Sequence, residues 1–488
     1  MIKRKLFRYI IPFQYDRKDT CFWEKLSADW EPCNLLSGEC DLYSYVANLV
    51  TCTGTVLKED GSIGISLRLK KNRIRSVLRL GRERCRTILK DQREIQWRFA
   101  DVGLFLFQSG VGFLWYETEL SEKQQEDVDT LLEFLYSMKE ISYSVREGSG
   151  RGIYFQIKEE MTEEAFLRKK AEADQKGQAI EAYPIKEKPG KMAVKQELPV
   201  DFYRDVVARL LGQIPVTSYF SERRTGEGEK KPDRALLFSW IYRVGQERDD
   251  GNLLFQLGHS YYDTYRASHS FLNNLEEHIY EPFCESRWYA CQEGCTNLVE
   301  LSEPKQFYEN GYQKRLDTYF YLYVLVLSQY YGLLGHAEQI AALPDSREAY
   351  RKGRKMEQVQ EYLEDVQLFY MKNIFSQVSH FSHQNQFYGY LQRTMSVEQV
   401  NQELSMELAA VHQILKERKD ELHGRRLRLF SIVSAIFVII QVFSSVHQVV
   451  DNLGGAGMLG ADKVLMDLAV IAVSAVLGFL CWLIIRNR

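Results

Sequence analysis

LFSIVSAIFVIIQVFSSVHQVV, from Leu429 to Val450, and VLMDLAVIAVSAVLGFLCWLII, from Val464 to Ile485, are two apolar segments with almost no charge. Each is as long as the ~20 residues that an α-helix needs to cross the hydrocarbon core of a bilayer. Because lipid offers the backbone no hydrogen-bond partners, each segment is expected to be helical. The pair predicts a two-helix transmembrane hairpin, and the alternative is a buried apolar hairpin in a soluble protein.

Basic residues flank this hairpin on both sides. Arg425, Arg426 and Arg428 precede the first segment, and two more arginines follow the second. The cytoplasmic flanks of membrane helices carry an excess of Lys and Arg. We therefore expect a multi-pass protein of the cell inner (plasma) membrane, with both termini cytoplasmic and the Asp451 to Lys463 turn outside.

The composition sets few limits on function. The chain has 488 residues and a formal net charge of -3, so no overall field points to a partner, and direct binding of nucleic acid is not expected. Its nine cysteines include no C-x-x-C pair, which argues against metal ligation and a disulfide framework and fits a reducing cytosol. The basic start lacks the long apolar core of a signal peptide.

The expected fold class is an α/β cytosolic region followed by a long α-helical stalk and the transmembrane hairpin. Its segments are a cytosolic α/β domain (1–160), a charged helix and linker (161–200), a second α/β unit (201–305), a helical stalk (306–428) and the hairpin (429–488).

Local patterns support these segments. Leu6 to Tyr15 reads as a strand whose proline indicates an edge or a bend, and Trp97 to Leu120 as a hairpin with a Ser-Gly turn. Leu253 to Tyr262 also reads as a strand. Leu316 to Leu334 is apolar enough to be taken for a third span, but one acid, one glutamine and five tyrosines favour a buried helix.

The stalk is expected to bring subunits together. Between Val397 and Arg428, apolar residues recur at steps of three and four, as in a seam that packs on neighbouring helices. Leu404, Leu408 and Val411 lie in this seam. It predicts a homo-oligomer, a tetramer or a pentamer, and the alternative is a stalk that folds back within one subunit.

The most basic stretch of the chain predicts a phosphate-binding site. Between Arg68 and Arg93, eleven Lys or Arg stand against two acids, and guanidinium forks suit phosphate. The alternative is a solvated helix face or a contact with acidic neighbours in an oligomer. The candidate ligand-binding residues here are Arg73, Arg75, Arg79, Arg82, Arg84 and Arg86.

Other arginines are candidates for the same ligand. Arg151 stands in a Gly-rich turn (GSGRG) that permits close backbone approach, and the favoured alternative is a plain strand connection. Arg223 and Arg224 lie in a polar loop that could cover an anion, and the favoured alternative is a solvated loop. Arg287 is a further candidate. No Walker A sequence, His-Glu-x-x-His or nucleophile elbow appears, so no catalytic residue and no enzyme activity are expected.

A polar stripe on the first apolar segment predicts a pore lining. Its members lie at steps of seven, four, three and four, which places them on one helix face: Ser434, Gln441, Ser445, Gln448 and Asn452. Polar residues in lipid usually face a bundle interior or water. The alternative is a stripe that only joins helices by hydrogen bonds.

This architecture resembles the CorA superfamily of divalent-cation channels. In that family the first span ends in Gly-Met-Asn, and the nearest match here is Gly457-Met458-Leu459, which lacks the asparagine. The resemblance implies an oligomeric membrane channel with Mg²⁺ as a permeant ion, but the departure puts magnesium selectivity in doubt.

The enlarged cytosolic part and the degenerate motif are similar to the CorA-like branch associated with type III CRISPR systems, as is the segment EPFCESRWYACQEG (Glu281 to Gly294). That resemblance implies an antiviral effector gated by a nucleotide messenger, S-adenosylmethionine joined to AMP. The alternatives are a CorA-type divalent-cation transporter and a membrane-anchored cytosolic enzyme or scaffold.

Overall fold

The computed structural model describes residues 2–16, 29–36, 41–51, 62–121, 127–140, 152–175, 180–185, 188–212, 214–224, 230–245, 248–249, 251–342 and 353–453. They belong to two compact units, Met1–Leu404 and Ser405–Arg488.

The strands in chain order are β1 (Ile2–Tyr15), β2 (Trp30–Pro32), β3 (Val50–Thr51), β4 (Gly64–Leu69), β5 (Cys85–Ile88), β6 (Glu94–Phe107), β7 (Val111–Leu120), β8 (Gly152–Thr162), β9 (Ile180–Pro184), β10 (Lys191–Pro199), β11 (Val216–Tyr219), β12 (Glu222–Arg224), β13 (Lys230–Pro232), β14 (Leu236–Val244), β15 (Ile279–Phe283), β16 (Ser286–Cys291) and β17 (Gly294–Leu301).

The helices are α1 (Ser44–Ala47), α2 (Lys71–Val77), α3 (Val128–Lys139), α4 (Glu163–Gln175), α5 (Ala208–Leu210), α6 (Asn252–His259), α7 (His269–Asn273), α8 (Leu275–His278), α9 (Tyr312–Ala341), α10 (Gly353–Asn373), α11 (Ser382–Thr394) and α12 (Val397–Leu453). Two π-helical turns, Tyr203–Val207 and Phe307–Gly311, lead directly into α5 and α9.

Fifteen of the described strands form one sheet. Its main path runs β15-β16-β17-β14-β1-β7-β6-β5-β8-β10-β9, with β11 beside β1, β4 beside β6, and β2 and β3 beside β4. The neighbours are antiparallel except for the parallel pairs β14 with β17 and β3 with β4. The predicted hairpin of Trp97 to Leu120 is confirmed as β6 and β7.

Strand β1 lies inside the sheet rather than at an edge. It pairs with β7 on one side, and on the other with β14 up to Ile10 and with β11 from Phe13. Pro12, which was expected to mark an edge or a bend, therefore lies where the neighbour on that side changes.

Side chains alternate between the two faces of the sheet, and helices cover both. On one face, Trp97 meets Phe134 of α3 with ring centroids 6.2 Å apart. On the other, Phe320 of α9 packs against Trp115 and Phe238, at 5.6 and 5.1 Å. The buried helix predicted for Leu316 to Leu334 is confirmed, because it fills the space over this second face.

The predicted transmembrane hairpin is wrong. No helix in the described ranges combines the length and the apolar character needed to cross a membrane. Leu429 to Val450 continues the helix α12, which begins in a charged segment at Val397. Val464 to Ile485 lies outside the described residues. The expected inner-membrane, multi-pass location and the ion-channel interpretation lose their basis with it.

The two predicted α/β units share one sheet. Strand β1 of the first segment pairs with β14 of the second over eight residues, so the division expected near residues 161–200 does not separate two cores.

Leu253 to Tyr262 is not a strand. Its first part is α6, whose first turn is capped when the Asp249 carboxylate accepts hydrogen bonds from the backbone N–H groups of Gly251 and Leu253. Leu253, Leu254 and Leu257 are buried together. The segment follows helical spacing, and its apolar run was misread as a strand.

Glu300 on β17 holds two arginines from neighbouring strands. Its carboxylate accepts hydrogen bonds from Arg243 of β14 and from Arg287 of β16, and the three side chains are at most 10% exposed. We expect Glu300→Gln to lower the free energy of unfolding by about 3–5 kcal/mol, because it leaves two buried guanidinium groups without a counter-charge. Urea unfolding followed by circular dichroism measures this change.

Glu285→Gln is the matched control, since Glu285 forms an ion pair with Lys305 at the surface. Its removal should cost under ~1 kcal/mol. Equal losses for the two variants would contradict the buried role of Glu300.

Candidate functional site

A row of charged side chains crosses four strands on the face that α9 covers. Arg8 of β1 stands opposite Glu117 of β7, which in turn stands opposite Asp101 of β6. Arg68 of β4 reaches Asp101 from the other side, with its Nε 2.7 Å from Oδ1. Alternating charges on adjacent strands stabilise one another, so the sheet itself holds this row in place.

A β-bulge makes the row. Phe99 pairs with Thr118, yet Asp101 rather than Ala100 pairs with Glu117. The extra residue changes which residues of β6 face α3. Before the bulge these are odd-numbered residues such as Trp97 and Phe99, and after it they are even-numbered residues such as Val102 and Leu104. Bulges of this kind redirect a side chain and recur beside functional sites.

Arg8 is almost completely enclosed. Its Nε donates to Glu117 Oε2 at 2.8 Å, its Nη2 lies 2.7 Å from Asp317 Oδ1 of α9, and its guanidinium lies over the ring of Phe320. Burial lowers the pKa of Arg8, but the charges of Glu117 and Asp317 outweigh it and raise the pKa overall. Its buried Nη1 has no hydrogen-bond partner among the described residues.

Trp115 supports Arg8 from the side of β7. The Arg8 guanidinium carbon lies 5.4 Å from the Trp115 ring centre. The ring lies so close to Gly103 on the neighbouring strand that a Cβ there would stand 2.2 Å from it. Glycine at this position is thus required for the floor of the site.

A cavity of about 450 Å³ opens beside this row, between the sheet and α2. Its volume lies within the range of small-molecule sites. Its lining combines the charged row, the start of α2 and the ends of β6 and β7: Arg8, Arg68, Lys71, Ile74, Arg75, Leu80, Glu83, Arg98, Phe99, Ala100, Asp101, Glu117, Glu119 and Asp317. We call this the arginine cavity.

Charge is unevenly distributed in the arginine cavity. Arg8 of β1 faces two carboxylates, Glu117 of β7 and Asp317 of α9. Arg98 of β6 likewise faces Glu119 of β7 and Glu83, which lies between α2 and β5. In each of these two groups one positive charge faces two negative charges, so one negative charge is not neutralised.

The opposite wall is positive. Lys71 and Arg75 of α2 form no ion pair with the described residues, and Arg75 donates only to the Gly81 carbonyl, at 3.2 Å. The arginine cavity is therefore a dipolar site, cationic at α2 and anionic around Arg8 and Arg98, where Asp317 and Glu83 add to the carboxylates of the sheet.

The structure brings only part of the predicted basic cluster together. Arg75 lines the arginine cavity. Arg73 forms an ion pair with Asp29, and Arg82 lies 4.0 Å from Glu181. The remaining members do not line the cavity either. Arg79 has a left-handed backbone with φ 55°, Arg84 donates a hydrogen bond to Ser121, and Arg86 forms ion pairs with Glu94 and Glu197.

Of the other predicted positions, Arg287 does not join this cavity. Arg287 is 3% exposed and bound to Glu300, so its charge is already neutralised inside the protein. Arg223 and Arg224 pair with β13 through their backbones, but their side chains are outside the described set, as is all of Arg151.

The predicted pore stripe keeps its helix but loses its role. Ser434, Gln441, Ser445, Gln448 and Asn452 all belong to α12. Their assignment depended on a membrane span, and no described helix qualifies as one.

Several residues of the site escaped the sequence analysis. Arg8, Arg98 and Asp317 come from β1, β6 and α9, and no local pattern joins them. The only available signals were single charges in apolar segments, such as Asp317 in the helix of Leu316 to Leu334. A charge in such a segment requires a buried partner.

The carboxylates of the site do not form a metal centre. Within the part of the chain that the structure describes, no group of three or more His, Cys, Asp or Glu side chains could hold a metal ion.

We expect Arg8→Met to destabilise the protein by about 3 kcal/mol, because it leaves Glu117 and Asp317 without a shared cation. Arg4→Met is the control on the same strand, since Arg4 is exposed, and should change stability by less than ~0.5 kcal/mol. Chemical unfolding of both variants measures the difference, and a stable Arg8→Met protein would contradict the ion-pair description.

No family model, curated protein or solved structure matches this chain.

Proposed function

We propose that the protein is a ligand sensor that binds a small zwitterionic nucleotide in the arginine cavity. The observation that carries this proposal is the dipolar lining, with free cations on α2 and excess carboxylates around Arg8 and Arg98. A ligand with a phosphate at one end and a positive centre at the other satisfies both sides.

The phosphate end belongs to the α2 wall. Lys71 and Arg75 supply a point charge and a planar fork, the two usual donors to phosphate oxygens. Surface cations bind weakly because solvent screens them, and the partly enclosed cavity reduces that screening.

The cationic end belongs to the sheet wall. The excess charge beside Arg8 and Arg98 attracts a sulfonium or an ammonium group. S-adenosylmethionine joined to AMP carries both kinds of group, which makes it the first ligand to test.

Isothermal titration calorimetry of the full chain tests the proposal with three probes: AMP, S-adenosylmethionine and the conjugate of the two. We expect the conjugate to bind most tightly because it alone reaches both walls. Arg75→Ala should weaken its binding about tenfold, which corresponds to ~1.4 kcal/mol. Binding of all three probes with equal affinity, or of none, would contradict the zwitterionic site.

Arg82→Ala is the matched control. Arg82 belongs to the same basic stretch as Arg75 and is largely exposed, with its Nη2 4.0 Å from Glu181. It does not line the cavity, so affinity should stay within twofold of the unchanged protein. A general effect of positive charge would weaken both variants alike.

We also propose that α12 joins copies of this chain, as the apolar seam predicted. Leu404 is buried within the first unit, so it does not serve such a contact. Further along, apolar side chains are largely exposed, including Leu427 at 68% and Phe430 at 73%. Exposed apolar side chains of this size on one helix indicate a binding surface, and a second α12 supplies a matching one.

Leu427→Asp combined with Phe430→Asp should shift the protein toward the monomer in sedimentation velocity experiments. The control is Glu407→Gln combined with Glu417→Gln, two exposed positions on the same helix, which should leave the mass unchanged. A monomeric unaltered protein would rule out this assembly.

A further inference from the structure

A second cluster of reactive side chains lies far along the chain from the residues of the arginine cavity. Cys291 ends β16, Glu293 lies in the turn before β17, and His259 ends α6. The Cys291 Sγ lies 3.6 Å from His259 Nδ1, and His259 Nε2 lies 2.9 Å from the Tyr289 hydroxyl. A thiol, an imidazole and an orienting hydroxyl therefore lie in one hydrogen-bonded line.

Two close backbone approaches bring this cluster together. A Cβ at Gly258 would stand 2.3 Å from the Tyr289 ring. A Cβ at Gly294 would stand 2.8 Å from the Gly258 carbonyl oxygen. Glycine at both positions lets the end of α6 lie directly on the β16–β17 hairpin.

Charges from other elements surround the imidazole. Glu293 Oε2 lies 3.8 Å from His259 Nδ1 and 2.6 Å from Lys139 Nζ of α3. Lys139 also donates to the His259 carbonyl, at 2.7 Å. Arg234 approaches Glu293 more distantly, at 3.9 Å.

These contacts favour the protonated imidazole. Burial alone lowers the pKa of His259, but hydrogen bonds to Cys291 and Glu293, and their negative charges, raise it to about 9. Burial likewise raises the pKa of Glu293, but His259 and Lys139 overcome it and lower the pKa to about 2. At neutral pH the cluster thus contains an imidazolium beside a carboxylate and a sulfur.

We propose that Cys291 is a peroxide-reactive cysteine, with His259 as the proton donor to the departing oxygen. An adjacent imidazolium is the usual means by which proteins activate a cysteine sulfur. Cys291 is unbridged and half-buried, so a small oxidant can reach the sulfur while the imidazole stays fixed behind it.

The reaction balances with a hydroperoxide as the only added reagent. Cys291 first loses its thiol proton to the solvent. The resulting thiolate attacks the terminal oxygen of the peroxide, and the oxygen–oxygen bond breaks. Sulfur is oxidised to sulfenic acid, the first step of cysteine oxidation. The peroxide is reduced, and its leaving oxygen takes the proton of His259 to become water or an alcohol.

The same side chains do not form a zinc site in the described chain, where no group of His, Cys, Asp and Glu is arranged to hold a metal. Glu293 is already bound to Lys139, and the second nitrogen of His259 is already bound to Tyr289. The cluster is therefore arranged around one sulfur rather than around an ion.

Cys284 provides an internal control. It is a free, exposed cysteine seven residues earlier, and no described side chain donates to its sulfur. If exposure alone governed oxidation, Cys284 would react first. If the imidazolium governs it, the half-buried Cys291 reacts first.

The test exposes the full-length protein to hydrogen peroxide at neutral pH, traps sulfenic acid with dimedone and quantifies each cysteine peptide by mass spectrometry. We expect Cys291 to be labelled at least tenfold faster than Cys284. His259→Gln should lower the Cys291 rate at least tenfold and leave the Cys284 rate unchanged.

Faster labelling of Cys284 than of Cys291 in the unaltered protein would overturn the proposal without any variant. An unchanged Cys291 rate in the His259→Gln protein, with normal circular dichroism, would do so too. Tyr289→Phe keeps the ring and loses only the hydroxyl bond to His259, so it should give an intermediate rate.

Discussion

The buried ion pairs of Arg8 constrain the centre of the molecule. A guanidinium group enclosed by Phe320, Trp115 and the sheet is tolerated only when carboxylates neutralise it, and Glu117 and Asp317 do so from a strand and from a helix. Those two contacts fix α9 on the sheet at one position, because a buried charge is left without its counter-charge when either partner moves, and the protein is destabilised. The bulge at Ala100 extends the same row to Asp101 and Arg68, and thereby creates the wall of the cavity.

The parts of this fold that depend on neighbouring residues could be predicted from the sequence. The strand β1, the turn between β6 and β7 and the tyrosine-rich helix α9 are all local patterns. The helical character of Leu429 to Val450 is also local, and the segment continues the helix that begins at Val397. Its length and hydropathy predicted a membrane span, and that prediction is wrong, because no described helix is long and apolar enough to be one.

The cavity and the cysteine cluster depend on contacts between distant segments, which periodicity does not encode. Asp317 forms an ion pair with Arg8 across about three hundred residues of sequence. The bulge that shifts the register of β6 by one position contains no glycine that would have indicated it in the sequence. Among the predicted arginines, Arg75 lines the cavity while Arg287 lies inside a neutralised network. Both looked alike in the sequence, since a charge by itself does not reveal whether its partner is a ligand or the protein.

The position of β1 has a consequence for how the chain is made. This strand joins β7, which follows it by about a hundred residues, and β14, which follows it by more than two hundred. At a synthesis rate of ~5–20 residues per second, β1 waits roughly 10–45 seconds for its second neighbour. During that interval its apolar residues and one row of backbone groups stay unpaired on the ribosome-bound chain. Newly made chains are thus most exposed to aggregation, and most dependent on chaperones, before residue 244 has emerged.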